Sequence, residues 1–336
     1  MTPKIFDCFI FNDEIDILHQ RISQYMGLVD GFLIAESKIS FDGKPKPLFA
    51  KEYLNSNPHI AEMVQLIEYE FPSDLKEANQ NDRWGRERYA RQSLSLPISF
   101  LPDDAFVILS DVDEFPSVSQ INNAISKDFI SSAPTPVVIG KINLFSESDA
   151  QWNTVRIGPK RFFEDLNEIR YMRAPQVQGK PGIHLTWLFG NFDEFLRKVH
   201  TTAHSEYDRD PKLVEDILEF SQKYQVSHLG RFHRKGYGLL KFIPRQLLSE
   251  IQISLLESRP DWYATTPVRE LRWKRFCASY LVTCAWATNS SPTENRITIH
   301  TFVLSCIDFL VVQISKYRNI IFRKVKKIHK LRISFS

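Results

Sequence analysis

Three carboxylates stand at the end of an apolar run in the first third of the chain. The apolar residues 106–110 are followed by Asp111, Asp113 and Glu114, and then by Pro116. Such a run is typical of a buried strand, and open α/β sheets bind ligands at the carboxyl ends of their strands. Carboxylates this close repel one another unless they are solvated or bind a hard divalent cation. The sequence therefore predicts a cation site that holds a diphosphate; the alternative is an acidic turn before a helix that begins near Pro116.

Strand and helix patterns alternate around these acids. We predict strands over 5–11, 31–35, 64–69, 105–110 and 136–142, and helices over 13–26, 79–96, 116 to about 130, 213–225 and 244–256. This order indicates an α/β protein with a mostly parallel Rossmann-type sheet flanked by helices, and a helical C-terminal extension. No strand is evident between 225 and 244. No Gly-rich phosphate loop is present, so a bound phosphate would be held by a metal ion and cationic side chains.

The charge of the chain is unevenly distributed. Its 336 residues are 43% hydrophobic, which is enough for a sizeable core. Of the 43 basic residues, eight lie within 315–336, a segment without acids, so the rest of the chain has 35 basic against 40 acidic residues. An acidic body argues against nucleic acid as a partner. The four cysteines form no close pair, so neither a zinc site nor a disulfide framework is indicated.

Ordered sequence blocks span roughly residues 4 to 245. The blocks are FDCFIFNDE at 6–14, VDGFLIAES at 29–37, FDGKPKPL at 41–48, RE at 86–87 with RQ at 91–92, DVDEFP at 111–116, GPK at 158–160, GIHLT at 182–186, and HSEY at 204–207 after Gly190 and Lys198. Together they resemble the blocks of glycosyltransferase family 17, the β-1,4-mannosyl-glycoprotein 4-β-N-acetylglucosaminyltransferase family. Two apolar exchanges, Ile183 and Phe115, depart from the family pattern.

The resemblance implies a GT-A-like fold and an inverting transfer of a sugar from a nucleotide-sugar, with UDP-GlcNAc as the expected donor. The acceptor would be a glycan or a lipid-linked glycan. It also implies Mn²⁺ or Mg²⁺ bound by Asp111 and Asp113, with His184 and His204 as further ligands and Glu114 orienting them. A divalent cation neutralises the charge that develops on a leaving diphosphate. Two alternatives stay open: the histidines satisfy buried polar groups, or the whole protein is a non-catalytic sugar-nucleotide or glycan-binding protein that keeps the fold.

Further candidates for binding the nucleotide-sugar follow the early strands and one helix. Asn12, Asp13 and Glu36 follow two strands whose ends would line a nucleotide crevice. For Asn12 and Asp13 the alternative is a helix N-cap. Arg86 and Arg91 share a helix face, which is either salt-bridged or, as the resemblance implies, directed at the diphosphate together with Lys198. The two arginines and Lys198 are more than 100 positions apart in the chain, so only the fold can bring them together.

We expect Asp113 to act in catalysis through the metal ion. Inversion by direct displacement also needs a general base, which takes the proton of the acceptor hydroxyl. The candidates are Glu147, Asp149, Asp193, Glu194 and Glu206. We choose Glu206, because it lies in a matched block.

We divide the chain into a catalytic domain at 1–245, a helical extension at 246–296 and an apolar, basic tail at 297–336. The apolar part of the tail is short and carries Asp308 near its middle, which argues against a bilayer span. We expect an amphipathic helix with a polybasic strip on an anionic membrane surface; the alternatives are a core helix and a true span. Because no small-residue cleavage site follows the N-terminal strand, we expect a cytoplasmic protein, peripheral on the inner face of a membrane.

Overall fold

The computed structural model describes residues 3–76, 82–147, 152–229, 238–268, 270, 272–289 and 291–292. Its strands are β1 (Ile5–Ile10), β2 (Gly31–Glu36), β3 (Val64–Glu68), β4 (Phe106–Asp111), β5 (Glu114–Phe115), β6 (Ser131–Thr135), β7 (Val137–Ile139), β8 (Leu144–Ser146), β9 (Trp152–Pro159), β10 (Ile183–Thr186) and β11 (Leu240–Phe242).

Helices surround these strands throughout the described chain. They are α1 (Ile15–Tyr25), α2 (Phe49–Ser56), α3 (Pro58–Ala61), α4 (Ser73–Lys76), α5 (Arg83–Gln92), α6 (Ser95–Ser99), α7 (Val118–Ala124), α8 (Leu166–Tyr171), α9 (Phe192–Thr201), α10 (Pro211–Tyr224), α11 (Glu250–Ser258) and α12 (Arg272–Thr288).

The main sheet has six strands in the order β3-β2-β1-β4-β9-β6. Strands β1 to β4 run parallel, and β9 is antiparallel to both of its neighbours. The predicted α/β fold with a mostly parallel, helix-flanked sheet is thereby confirmed. Ile10 pairs with Asp111 across β1 and β4, so the acids following β4 lie at the carboxyl edge of the sheet beside the segment that follows β1.

A second sheet, in the order β11-β8-β7-β10-β5, brings a distant strand to this edge. Strand β5 follows β4 after only two residues and pairs antiparallel with β10. In this register His184 lies opposite Glu114, although the two are 70 positions apart in the chain. Pairing of β5 with β10 thus places a histidine next to the acidic loop, here defined as residues 111–114.

The core explains why α1 and the C-terminal helices pack where they do. Helix α1 buries Ile17, Leu18 and Ile22 against β1 and β2, whose own residues are almost all buried. Leu255 of α11 and the following Trp262 belong to the same apolar cluster. Helix α11 and the segment after it are therefore packed on the first half of the chain through a shared core, whereas α12 packs on α10 in a separate apolar cluster.

Several predicted elements differ from the structure. The helix predicted from 244 begins at Glu250, and the strand predicted over 136–142 is limited to Val137–Ile139. The helix after Pro116 starts as expected, with a capping box between Ser117 and Gln120, but ends at Ala124 instead of about 130. Polar residues 126–128 follow, so the apolar face that would extend the helix is interrupted. The expectation that no strand lies between 225 and 244 is wrong: β11 pairs with β8, but three residues are too few for a periodic signal.

Within the described residues, no helix is both long enough and apolar enough to cross a membrane. The predicted tail at 297–336 lies outside the described residues, so its membrane association stays a prediction, as does the division into domains.

Candidate active site

A cleft of about 390 Å³ opens at the carboxyl edge of the main sheet. It lies where β1, β4 and β10 end, which is the ligand position expected for an open α/β sheet. Seven of the residues predicted from the sequence line it together: Asn12, Asp111, Asp113, His184, Lys198, His204 and Glu206. The fold thus gathers residues from five separate sequence blocks into one site.

Asp111 and Glu114 share one arginine. Both guanidinium nitrogens of Arg170 donate to the Glu114 carboxylate, at 2.9 and 3.0 Å, and one also contacts Asp111. Glu114 is fully buried and accepts further bonds from Thr154 and, at 2.7 Å, from the Trp152 indole. Burial alone would raise the pKa of Glu114, but the charge of Arg170 holds it well below its ordinary value. Glu114 therefore lies behind the cleft as a charged support, as its predicted orienting role requires.

Asp111 is the more exposed of these two acids, with 30% of its side chain accessible. Its second oxygen lies 3.4 Å from Arg91 of α5. Burial raises the pKa of Asp111 to about 6, against the opposing charge of Arg170. With two arginines beside it, Asp111 has its charge compensated by protein groups.

Asp113 faces a different partner. Its carboxylate lies 3.4 Å from Nε2 of His184, whose ring packs 5.5 Å from that of Trp152. Burial would raise the pKa of Asp113, but His184 and the nearby Lys198 lower it below the ordinary value. Nδ1 of His184 is buried and makes no hydrogen bond to any residue that the structure describes, so Nε2 is the ring nitrogen that contacts Asp113.

These two residues fit a divalent cation. A carboxylate oxygen and an imidazole nitrogen 3.4 Å apart can bind the same ion, and Mg²⁺ sites commonly use few protein ligands beside phosphate oxygens and water. The described residues contain no group of three or more His, Cys, Asp or Glu side chains arranged to hold a metal ion. Asp111 lines the same cleft, but its arginines compete with an ion for its oxygens.

Arg21 of α1 binds the backbone of the acidic loop. This guanidinium is completely buried and donates to three backbone carbonyl oxygens within 111–114, at 2.7 to 3.2 Å. It also binds both oxygens of Asp7, at 2.7 and 2.8 Å, and the hydroxyl of Ser110 at 2.6 Å. One side chain therefore fixes the loop backbone to β1 and β4.

The opposite wall of the cleft carries Lys198 and His204. The Lys198 ammonium lies 3.2 Å from the Glu14 carboxylate. Burial would lower the pKa of Lys198, but Glu14 and Asp113 raise it, so the lysine stays cationic in the cleft. His204 contacts Glu206, with Nδ1 and Oε1 2.7 Å apart, and its ring meets that of Trp84 at 4.7 Å. Half of the Glu206 side chain is exposed.

Several predicted residues have other positions. The buried carboxylate of Glu36 accepts backbone N–H bonds from the first turn of α2 and pairs with Lys46 at 3.0 Å. Arg86 donates to two backbone carbonyls, at 2.7 and 3.0 Å, and so connects α5 to neighbouring segments. Arg91 bonds Glu87 at 2.8 Å, which is the salt-bridged alternative, and touches the site through Glu87 and Asp111, both of which line the cleft. Glu36, Arg86 and Arg91 are themselves not among the residues that line the cleft, and their binding roles stay predictions.

The alternative prediction for Asn12 and Asp13, a side chain that caps the N-terminus of α1, is wrong. The N-cap position of α1 is Glu14, without a side-chain capping bond. Asp13 lines a neighbouring cavity and contacts Arg197 at 2.7 Å; burial raises the pKa of Asp13 to about 6. Among the other general-base candidates, Glu194 lines the same neighbouring cavity, and Asp149 lies outside the described residues.

Sequence reasoning missed Arg21 and Arg170. Arg21 had a usable signal, since it falls on the apolar face of α1 and Asp7 lies within an apolar strand, which together predict a buried ion pair. Arg170 had none, because its partner Glu114 is 56 positions away and α8 is only six residues long.

A family model described as Glycosyltransferase family 17 matches residues 1–225. Three relatives are each 29% identical to this chain over 119 residues. They are the β-1,4-mannosyl-glycoprotein 4-β-N-acetylglucosaminyltransferases of Rattus norvegicus, Homo sapiens and Mus musculus. That alignment covers 34% of this chain and only 22% of each relative. Because the family match spans more than half of the sequence and contains the whole cleft, the chain belongs to glycosyltransferase family 17.

Proposed function

We propose that this protein transfers N-acetylglucosamine from UDP-GlcNAc to a glycan or lipid-linked glycan, with inversion at the anomeric carbon and with a divalent cation. The observation that carries the proposal is the contact of His184 with Asp113 of the acidic loop, at the carboxyl edge of a parallel sheet. The transferred sugar is inferred from the aligned relatives, which are N-acetylglucosaminyltransferases. The same arrangement supports a GT-A-like fold.

A bound Mn²⁺ or Mg²⁺ would act as a Lewis acid on the leaving diphosphate. Asp113 and His184 would hold it, and His204 would complete the coordination if its ring turns from Glu206 toward the cleft. Asp111 is better suited to a hydroxyl of the donor, because a carboxylate already bound to arginine still has lone pairs that accept hydrogen bonds.

The cationic side chains of the cleft suit a nucleoside diphosphate. Lys198 supplies a positive charge whose protonated state is reinforced by nearby acids. Arg170, between Asp111 and Glu114, fixes the acidic loop in one conformation. Asn12 lies at the end of β1, where the ribose or base of a nucleotide would sit. The choice of general base, Glu206 or another carboxylate, depends on where the acceptor binds.

The test is binding and slow hydrolysis of UDP-GlcNAc by the purified protein, with Mn²⁺ or with EDTA. We expect Asp113→Ala and His184→Ala to lose Mn²⁺-dependent hydrolysis at least 100-fold. Asp104→Asn is the control, because Asp104 is an exposed carboxylate outside the cleft.

Two results would contradict the proposal. Hydrolysis that is unaffected by EDTA and by both variants would remove the cation from the mechanism. A wild-type protein that binds UDP-GlcNAc without turnover under any condition would instead favour the non-catalytic sugar-nucleotide-binding alternative.

A further inference from the structure

A second cavity of about 270 Å³ lies directly beside the cleft. Glu14 and Lys198 line both spaces, so the cavity and the cleft share a wall. The remaining walls come from the starts of α1 and α2, from α9, and from the segment that follows α11. A group bound in the second cavity would therefore be next to a donor bound in the cleft.

The shared wall carries charges that compensate each other. Asp13 contacts Arg197 at 2.7 Å, and Glu14 contacts Lys198 at 3.2 Å. Only 9% of the Asp13 side chain and 22% of the Glu14 side chain are exposed, so both carboxylates have defined positions. Each carboxylate keeps lone pairs that its cation does not use.

The far wall is organised by Arg259. Its guanidinium binds Asp16 at 2.8 Å and Glu194 at 2.6 Å, and lies 4.4 Å from the centre of the Trp262 ring. Leu188 adds an apolar surface. A cavity with paired charges, fixed hydrogen-bonding groups and apolar walls suits a neutral, hydroxyl-rich ring better than a second phosphate.

The two spaces differ in their relation to the family match. Every residue that lines the cleft lies between Ile10 and Glu206, inside the matched range 1–225. The second cavity is completed by Arg259 and Trp262, which lie beyond that range. The part shared with the family thus forms the cleft, and the C-terminal extension contributes to the neighbouring cavity.

We propose that the second cavity binds a sugar ring of the acceptor as a neutral glycoside, and that Glu14 is the general base. This inference rests on the proposed function. As the acceptor oxygen forms its bond to C1 of the donor sugar, its proton passes to the Glu14 carboxylate. The C1–O bond to the diphosphate breaks, and its electron pair leaves on the diphosphate. Glu14 suits this step because it faces both spaces, whereas Glu206 lines only the cleft.

The first test fills the cavity. Ile15 is the first residue of α1, lines the second cavity and is only partly buried. Ile15→Trp is expected to raise the KM for p-nitrophenyl β-mannoside at least tenfold, and by a larger factor than it raises the KM for UDP-GlcNAc. Val118→Trp is the matched control, since Val118 is the first residue of α7 and is 40% exposed. An unchanged KM in Ile15→Trp would overturn the cavity assignment.

The second test addresses the base. Glu14→Gln is expected to lower kcat for transfer to the mannoside by 100- to 10,000-fold, measured with both UDP-GlcNAc and the mannoside at saturating concentrations so that any change in binding does not contribute. Glu206→Gln is made in parallel. A large kcat loss in Glu206→Gln together with normal turnover in Glu14→Gln would overturn the assignment of Glu14.

A binding measurement separates this inference from the proposed function. Saturation-transfer NMR with the mannoside needs no donor, and we expect a signal with wild type and Val118→Trp but not with Ile15→Trp. That pattern without any UDP-GlcNAc turnover would support the cavity and refute the proposed transfer. Turnover of UDP-GlcNAc with no mannoside signal, or with an equal signal from all three proteins, would refute the cavity alone.

Discussion

Arg170 and Glu114 illustrate how single residues determine the shape of the site. Taking an unpaired charge out of water is unfavourable, so a buried pair is retained only where its geometry and further hydrogen bonds compensate it. Here Glu114 accepts bonds from Arg170, Trp152 and Thr154, and it also accepts the backbone N–H of Asp111 at 3.0 Å. The acidic loop therefore has one strongly preferred conformation.

Glu114→Gln removes the charge and leaves the size of the side chain nearly unchanged. We expect it to lower the free energy of unfolding at pH 7 by about 3 kcal/mol, because Arg170 loses its principal partner. The pKa of Glu114 is lowered in the folded state from an ordinary 4.5, so its stabilisation is complete above about pH 4.5 and is lost as the pH falls toward the lowered pKa. Urea unfolding between pH 3 and pH 8 should show the two proteins converging in acid.

Asp128→Asn serves as the comparison for that experiment. Asp128 pairs with Arg161 on the surface, where both side chains are at least half exposed, so its loss is expected to cost under 1 kcal/mol. A gap between wild type and Glu114→Gln that does not narrow below pH 4.5 would contradict the ionised, paired Glu114.

At the scale of elements, the pairing of β5 with β10 is the decisive contact. It places His184 opposite Glu114 and therefore beside Asp113. Gly182, just before β10, permits this close approach: a Cβ atom there would lie 2.0 Å from the backbone oxygen of Phe115. The two strands cannot accommodate any side chain at this position without moving apart.

Gly182→Ala is expected to separate β5 from β10. We expect a loss of 1–3 kcal/mol in the free energy of unfolding and at least a tenfold loss of Mn²⁺-dependent UDP-GlcNAc hydrolysis. Gly85→Ala in α5 is the matched control, because its nearest contact would be a flexible leucine methyl at 3.1 Å. Equal stability and hydrolysis in wild type and Gly182→Ala would show that the strand pairing does not set the position of His184.

At the scale of the whole molecule, the C-terminal segment and the rest of the chain carry opposite net charges. The segment 315–336 carries eight basic residues and no acid, while acids outnumber bases in the rest of the chain. Each Lys or Arg near an anionic membrane contributes on the order of 1 kcal/mol to binding. Peripheral association with an anionic membrane therefore remains our prediction for the tail.

Vesicle co-sedimentation of the full chain tests this prediction. We expect binding to vesicles containing phosphatidylserine and little binding to pure phosphatidylcholine. Changing Lys324, Lys326, Lys327 and Lys330 to Gln should weaken binding at least 100-fold. Binding that is insensitive both to these changes and to 0.5 M salt would point to apolar insertion instead.

The sequence by itself determined the elements whose signals are local. The apolar runs predicted β1, β2, β3 and β4 to within two residues, and the acids that end β4 identified the edge of the sheet where the site lies. The alternation of strands and helices also predicted a mostly parallel sheet, whose strand ends lie at one edge. Asn12, Asp111 and Asp113, which follow or end two of these strands, consequently line one cleft.

Only the tertiary structure decided which charges meet. Arg170 contacts an acid 56 positions away, Arg21 holds a loop about 90 positions away, and Arg259 contacts Asp16 across 243 positions. Long-range contacts of the same kind hold Glu36, Arg86 and Arg91 outside the lining of the cleft. A residue's type shows that it needs a partner when buried, but the identity of that partner depends on long-range packing, which leaves no periodic trace in the chain.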